Sequence, residues 1–67
     1  MTVKQLSRIC DYRVMQIWNK NNVYEVDVRN IISVYTRIEQ LPKEIQNAKI
    51  IQIHPIDTFV IGLRIQD

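Results

Sequence analysis

The side chains able to do chemistry are few, and the most suggestive pair is His54 with Asp57. His54 is the sole histidine, and Asp57 follows three residues later across Pro55. A histidine acting as general base needs an orienting partner, which Asp57 could supply, and a proton to abstract. However, no hydroxyl or thiol nucleophile with a neighbouring helper accompanies the pair. We therefore expect Asp57 to cap a turn. We expect no catalytic residue, and we do not expect the protein to be an enzyme.

Metal and cofactor sites are disfavoured in the same way. Cys10 is the only cysteine, and together with His54 it gives no paired-ligand spacing for a metal. Gly62 is the only glycine, which excludes a glycine-rich phosphate loop. The sequence therefore predicts neither a metal site nor a cofactor.

The stretch WNKNNVY, residues 18–24, places Trp18 and Tyr24 around Lys20 and three asparagines. Aromatic and basic side chains interleaved in this way can bind single-stranded nucleic acid. Strand alternation, however, puts Trp18 and Tyr24 on opposite faces of a sheet. Asparagine also tolerates the left-handed backbone of tight hairpin turns. The stretch therefore favours a hairpin turn over a recognition loop.

Length and charge limit the class of protein. The 67 residues form one domain, 46% of them are apolar, and the net charge is +2. Lys4 and Arg8 stand where a signal peptide would be apolar, and no run is long enough for a membrane span. We expect a cytoplasmic protein. All the excess positive charge lies in residues 1–33, which is too little for a stripe that binds polyanions.

Helix and strand signals alternate along the chain. Thr2 and Gln5 form a capping-box pattern ahead of a helical stripe, which predicts a helix over residues 3–10. Residues 13–18 and 23–28 are rich in β-branched and aromatic side chains and predict one hairpin. Two further strands are expected at 49–54 and 58–65, joined through HPID.

The middle segment is ambiguous. Residues 29–41 carry both a helical apolar stripe and a strand-like alternation, and we favour a helix without excluding a strand. Pro42 then ends that segment and begins a single helical turn that stops near Asn47.

These elements predict an α+β fold of the order αββ(α)ββ. The two hairpins would form a four-stranded, mostly antiparallel sheet. The short N-terminal helix would cover its inner face through Leu6 and Ile9.

The opposite, outer face of this sheet is predicted to be apolar. Alternation places five side chains there: Val14, Trp18, Val23, Ile50 and Val60. Gly62 falls among them, and we expect the Trp18 indole to cover it if the strands are neighbours. Such a face needs a cover. The chain's own middle helix is the first expectation, a symmetric homodimer the second, and a foreign protein the third.

Several quoted segments resemble a known group. MTVKQL, the asparagine-rich turn, LPKEIQNAKIIQI and FVIGLRI are similar to segments of small proteins encoded by phages and mobile elements of Firmicutes. Members of that group begin with a TVKEL-like helix, followed by a hairpin, a P-x-E-hydrophobic turn and two strands. NIISVYTRIEQ is longer than the usual middle of the group. The resemblance implies an accessory gene product without a shared catalytic motif. Some phage proteins of this size inhibit a host defence protein by binding it.

Two functions follow as expectations. The first is a non-enzymatic protein-binding module that inhibits a host defence protein in the host cytoplasm. Its binding residues would be the outer-face set with a charged rim: Val14, Trp18, Lys20, Val23, Ile50, Val60 and Arg64. The alternative is a nucleic-acid-binding accessory protein that uses the basic first half through Lys4, Arg8, Arg13 and Lys20. No small-molecule substrate and no membrane partner are expected.

Overall fold

The computed structural model describes residues 1–29, 31 and 34–66. Within them lie two short α-helices and a five-stranded mixed sheet, which confirms the α+β class. The helices are α1 (Val3–Ser7) and α2 (Lys43–Gln46), and a single 3-10 turn spans Ile38–Gln40. The strands are β1 (Val14–Trp18), β2 (Val23–Asp27), β3 (Thr36–Arg37), β4 (Ile50–Pro55) and β5 (Val60–Ile65).

Two antiparallel hairpins supply four of the five described strands, as predicted, but the sheet is mixed and not mostly antiparallel, because two of its four strand pairings are parallel. The strand order is β3-β2-β1-β5-β4, and the β1–β2 and β4–β5 pairs are antiparallel. The hairpins are joined by a parallel pairing of β1 with β5, which runs in register from Val14↔Val60 to Trp18↔Arg64. The two-residue strand β3 adds parallel to β2 and makes the sheet one strand wider than predicted.

Helix α1 begins where its capping box predicts. The Gln5 N–H donates to the Thr2 hydroxyl (3.2 Å), and the Thr2 N–H donates to the Gln5 side-chain oxygen (2.9 Å). The helix is shorter than the predicted residues 3–10, because the chain leaves regular helix after Ser7. Leu6 therefore reaches the core as expected, whereas Ile9 is exposed and does not cover the sheet.

The helix predicted for residues 29–41 is wrong in the part that the structure describes. Asn30, Ile32 and Ser33 lie outside the described residues. From Thr36 onward the chain forms β3 and then the 3-10 turn, so the β-branched alternation outweighed the helical stripe there. The turn after Pro42 is confirmed as α2. The Gln46 amide donates to the Leu41 carbonyl oxygen (2.8 Å), which fixes α2 against the preceding bend.

The core lies on the inner face of the sheet, and both helices pack there. Apolar side chains of β1, β2 and β5 are covered by α1, by the 3-10 turn and by α2. The buried cluster comprises Val3, Leu6, Met15, Ile17, Val26, Ile38, Leu41, Ile45, Ile61, Leu63 and Ile65. The middle segment therefore contributes to the inner face and not, as expected, to a cover for the outer one.

A β-bulge corrects the predicted alternation of β4. The register shifts between Ile50 and Gln52, so Ile51 is an extra residue in the strand. Ile50 pairs with Ile65 and packs against the core, which removes it from the outer face where the sequence placed it. Ile51 is exposed and is not the inner-face residue that alternation predicts.

We expect truncation of Leu63 and truncation of Ile53, which pair on the inner face, to lower the free energy of unfolding by very different amounts. The two residues lie opposite one another on β5 and β4, but Leu63 is 0% exposed and Ile53 is 49% exposed. Leu63→Ala should lower the free energy of unfolding by about 2–5 kcal/mol. Ile53→Ala should lower it by about 1 kcal/mol or less. Urea unfolding followed by circular dichroism measures both.

A total stability of about 3–10 kcal/mol is expected for a domain of this length, so Leu63→Ala should remove a large fraction of it. Equal losses in the two variants would contradict the position of the core, because they would mean that the helical layer also covers β4.

Candidate functional site

The outer face of the sheet is built by the side chains that alternate with the core residues. Registers across β2, β1, β5 and β4 align them in rows. One row contains Val23, Trp18, Arg64 and Gln52, the next contains Glu25, Gln16, Gly62 and His54, and Val14 pairs with Val60 beyond them. Among the described residues, neither helix packs on this side of the sheet.

Within the outer face, the exposed apolar side chains lie at one end. Trp18 is 41% exposed, and its cross-strand partner Val23 is 47% exposed. At the other end Val14 is buried and Val60 is half-buried. Four of the five predicted apolar residues therefore lie on the outer face, but only Trp18 and Val23 offer a broad apolar surface to a partner.

Gly62 is covered by His54 and not, as expected, by Trp18. The β4–β5 register places His54 directly opposite Gly62, whereas Trp18 pairs with Arg64. A Cβ built at position 62 would lie 2.5 Å from His54 Nε2, so the imidazole occupies the space that a side chain would need. The register of the second hairpin could have predicted this contact, because counting outward from its turn pairs residue 54 with residue 62.

A shallow depression opens beside the Trp18 indole. It has a volume of about 390 Å³ and is lined by Trp18, Gln52, His54 and Arg64, which we name the Trp18–Arg64 cluster. A second depression of about 480 Å³ lies on the other side of the Trp18–Arg64 pair, and Lys20 lines it together with Ile51 and Gln66. Lys20 and Arg64 therefore both border Trp18, as the predicted rim requires.

The cations of the nucleic-acid hypothesis do not converge on one surface. Lys4 and Arg8 line a cleft of about 280 Å³ beside α1, together with Asp27 and Glu39. The Arg13 guanidinium lies 4.8 Å from the centre of the Phe59 ring. Arg13 and Lys20 flank opposite ends of β1, a strand about 17 Å long. The four cations of the first half therefore lie in three separate places, and the two in the cleft lie beside carboxylates.

Of the His54–Asp57 pair, Asp57 caps the turn of the second hairpin, as predicted. Asp57 Oδ1 accepts hydrogen bonds from the backbone N–H groups of Phe59 (2.7 Å) and Val60 (3.0 Å), which shapes the turn of the second hairpin. In the part of the chain that the structure describes, no group of three or more His, Cys, Asp or Glu side chains is arranged to hold a metal ion.

No protein-family model, characterised protein or solved structure matches the chain. Over residues 1–29, 31 and 34–66, none of the helices has the length and apolar character needed to cross a bilayer. Kinship with the phage-encoded group stays a prediction.

The packing of His54 over Gly62 predicts a coupled pair of substitutions. Gly62→Ala should destabilise the wild-type protein by about 1 kcal/mol, because the new methyl group displaces the imidazole. In the His54→Ala background the same substitution should be neutral or stabilising by up to about 1 kcal/mol, since alanine reduces the freedom of the unfolded chain.

A double-mutant cycle measured by urea unfolding gives the coupling energy between positions 54 and 62. Additive effects, with Gly62→Ala equally costly in both backgrounds, would show that His54 does not occupy the space above Gly62.

Proposed function

We propose that the chain is a non-enzymatic protein-binding module and that the Trp18 end of its outer face is the binding surface. The observation that carries the proposal is the adjacency of exposed Trp18 and Val23, with Arg64 beside them in register. Large exposed apolar side chains that lie next to one another on an open sheet face are typical of interaction sites.

The residue types at this surface suit a protein interface. Tryptophan and arginine are enriched among residues that dominate binding energy. The exposed part of Trp18 amounts to about 100 Å² of largely apolar surface. Its burial under a partner would contribute about 2 kcal/mol. Val23 and the stem of Arg64 would extend the same contact.

The biological setting we propose is that of a phage-encoded accessory protein in the host cytoplasm, which inhibits a host defence protein by binding it. This setting follows from the resemblance of the MTVKQL and LPKEIQNAKIIQI segments to the phage and mobile-element group. Occupying a partner's surface needs no catalytic group, so a small domain suffices. A homodimer through the same face competes with this proposal, and sedimentation velocity of the purified protein separates the two.

Trp18→Ala should abolish capture of a stoichiometric partner from nuclease-treated host lysate. The substitution removes the central apolar contact, while the domain keeps a cooperative unfolding transition because Trp18 lies outside the buried cluster. Affinity capture with the tagged protein, followed by mass spectrometry, measures the loss.

The matched control is Phe59→Ala, another exposed aromatic, which lies beside Arg13 beyond the opposite end of β1. It should leave capture unchanged. Equal loss in both variants, or a Trp18→Ala protein that is largely unfolded, would contradict the assignment of this surface. Recovery only of proteins that disappear after nuclease treatment or with added salt would favour nucleic-acid binding instead.

A further inference from the structure

We infer that the partner presents a carboxylate to Arg64, in the depression between Trp18 and His54, so that the matching patch on the partner protein is acidic. This inference rests on the proposed function and specifies the chemistry of the partner at the same surface. It is carried by the charge and hydrogen-bonding groups of the Trp18–Arg64 cluster.

Arg64 is the uncompensated charge of this cluster. The described residues give its guanidinium no hydrogen bond and no ion pair, and the ion pair of Arg29 with Asp11 lies elsewhere. Glu25 shares the outer face but lies two strands away on β2, or about 10 Å across the sheet. Among the residues that the structure describes, no carboxylate is therefore placed to compete with an anion that a partner brings to Arg64.

The groups around Arg64 all offer hydrogen-bond donors. Trp18 pairs with Arg64 on one side and Gln52 pairs with it on the other, and His54 follows two residues after Gln52. The indole has only a donor N–H, and the Gln52 amide and the imidazole each supply a donor as well. None of the described residues that line the depression is acidic. A guanidinium can bind a carboxylate through two parallel hydrogen bonds, and apolar contact with Trp18 would strengthen them by excluding water.

A single carboxylate fits this cluster better than a nucleic-acid backbone. A phosphate chain needs a track of cations, whereas Lys4, Arg8 and Arg13 lie in other parts of the molecule. Glu25 on the same face would repel a phosphate chain that crossed the sheet. One arginine beside an exposed tryptophan is instead the composition of a protein–protein hot spot.

Trp18 is the only tryptophan, so its fluorescence reports on this cluster directly. We would titrate the full chain with a capped peptide of glutamates around one leucine, with the same peptide carrying glutamine for glutamate, and with an oligothymidylate of matched charge. The glutamate peptide should change the emission saturably, with a midpoint of about 1 mM. The glutamine peptide and the oligothymidylate should bind at least about tenfold more weakly.

Arg64→Gln should remove the preference for glutamate over glutamine, and its matched control Lys4→Gln should retain it. Both side chains are exposed, so both variants should remain folded. Equal or tighter binding of the oligothymidylate would overturn the inference in favour of nucleic acid. An unchanged preference in Arg64→Gln, or no response to the glutamate peptide, would also overturn it.

The two proposals fail in different ways. If the glutamate peptide gives no response but Trp18→Ala still abolishes capture of a protein, the acidic partner is wrong and the binding module stands. If a protein partner is captured equally by wild type and Trp18→Ala, the binding surface itself is wrong.

Discussion

The parallel pairing of β1 with β5 is the contact on which the rest of the molecule depends. It joins residues 14–18 to residues 60–64 and so fuses two hairpins, each closed locally, into one sheet. On the inner side it brings Met15 and Ile17 beside Ile61 and Leu63, the centre of the buried cluster. On the outer side the same register places Trp18 beside Arg64. One ladder with large sequence separation therefore sets both the core and the proposed binding surface, and forming it carries the main loop-closure cost of folding.

Helices pack on one face of the sheet and not on the other, and this difference follows from the size of the domain. A chain of this length buries only about 60% of the surface that its unfolded state exposes, so nearly all its apolar helical surface is needed for one core. Both helices and the 3-10 turn are placed on the inner face. On the outer face, His54 of the neighbouring strand fills the space above Gly62. Trp18 and Val23 remain exposed because the small layer of helices cannot cover both sides of the sheet.

Local signals in the sequence predicted most helices and strands. Long-range strand pairing determined the conformation of residues 36–40, the face of Ile50 and the neighbours of Gly62. The Thr2 capping box, the Pro42 turn and the two hairpins depend on neighbouring residues, and each was predicted near its observed position. Residues 36–40 were misassigned because a helical stripe and a strand alternation coexist there, and only the pairing with β2 selects between them. One bulged residue, Ile51, inverted the predicted face of Ile50. The neighbours of Gly62 could not be chosen from alternation alone, since alternation gives the face of a residue but not its cross-strand partner.

Site-specific photo-crosslinking would show whether a protein partner covers the outer face. Benzoylphenylalanine would replace Gln52, which lines the depression beside Trp18, or Glu44, which is exposed on α2 in the opposite layer. Irradiation of each variant in host lysate, followed by mass spectrometry, identifies what lies within reach of each position. We expect a single protein to be cross-linked at position 52 and not at position 44. A protein cross-linked from position 44 alone would mean that the binding surface is the helical layer and not the outer face of the sheet.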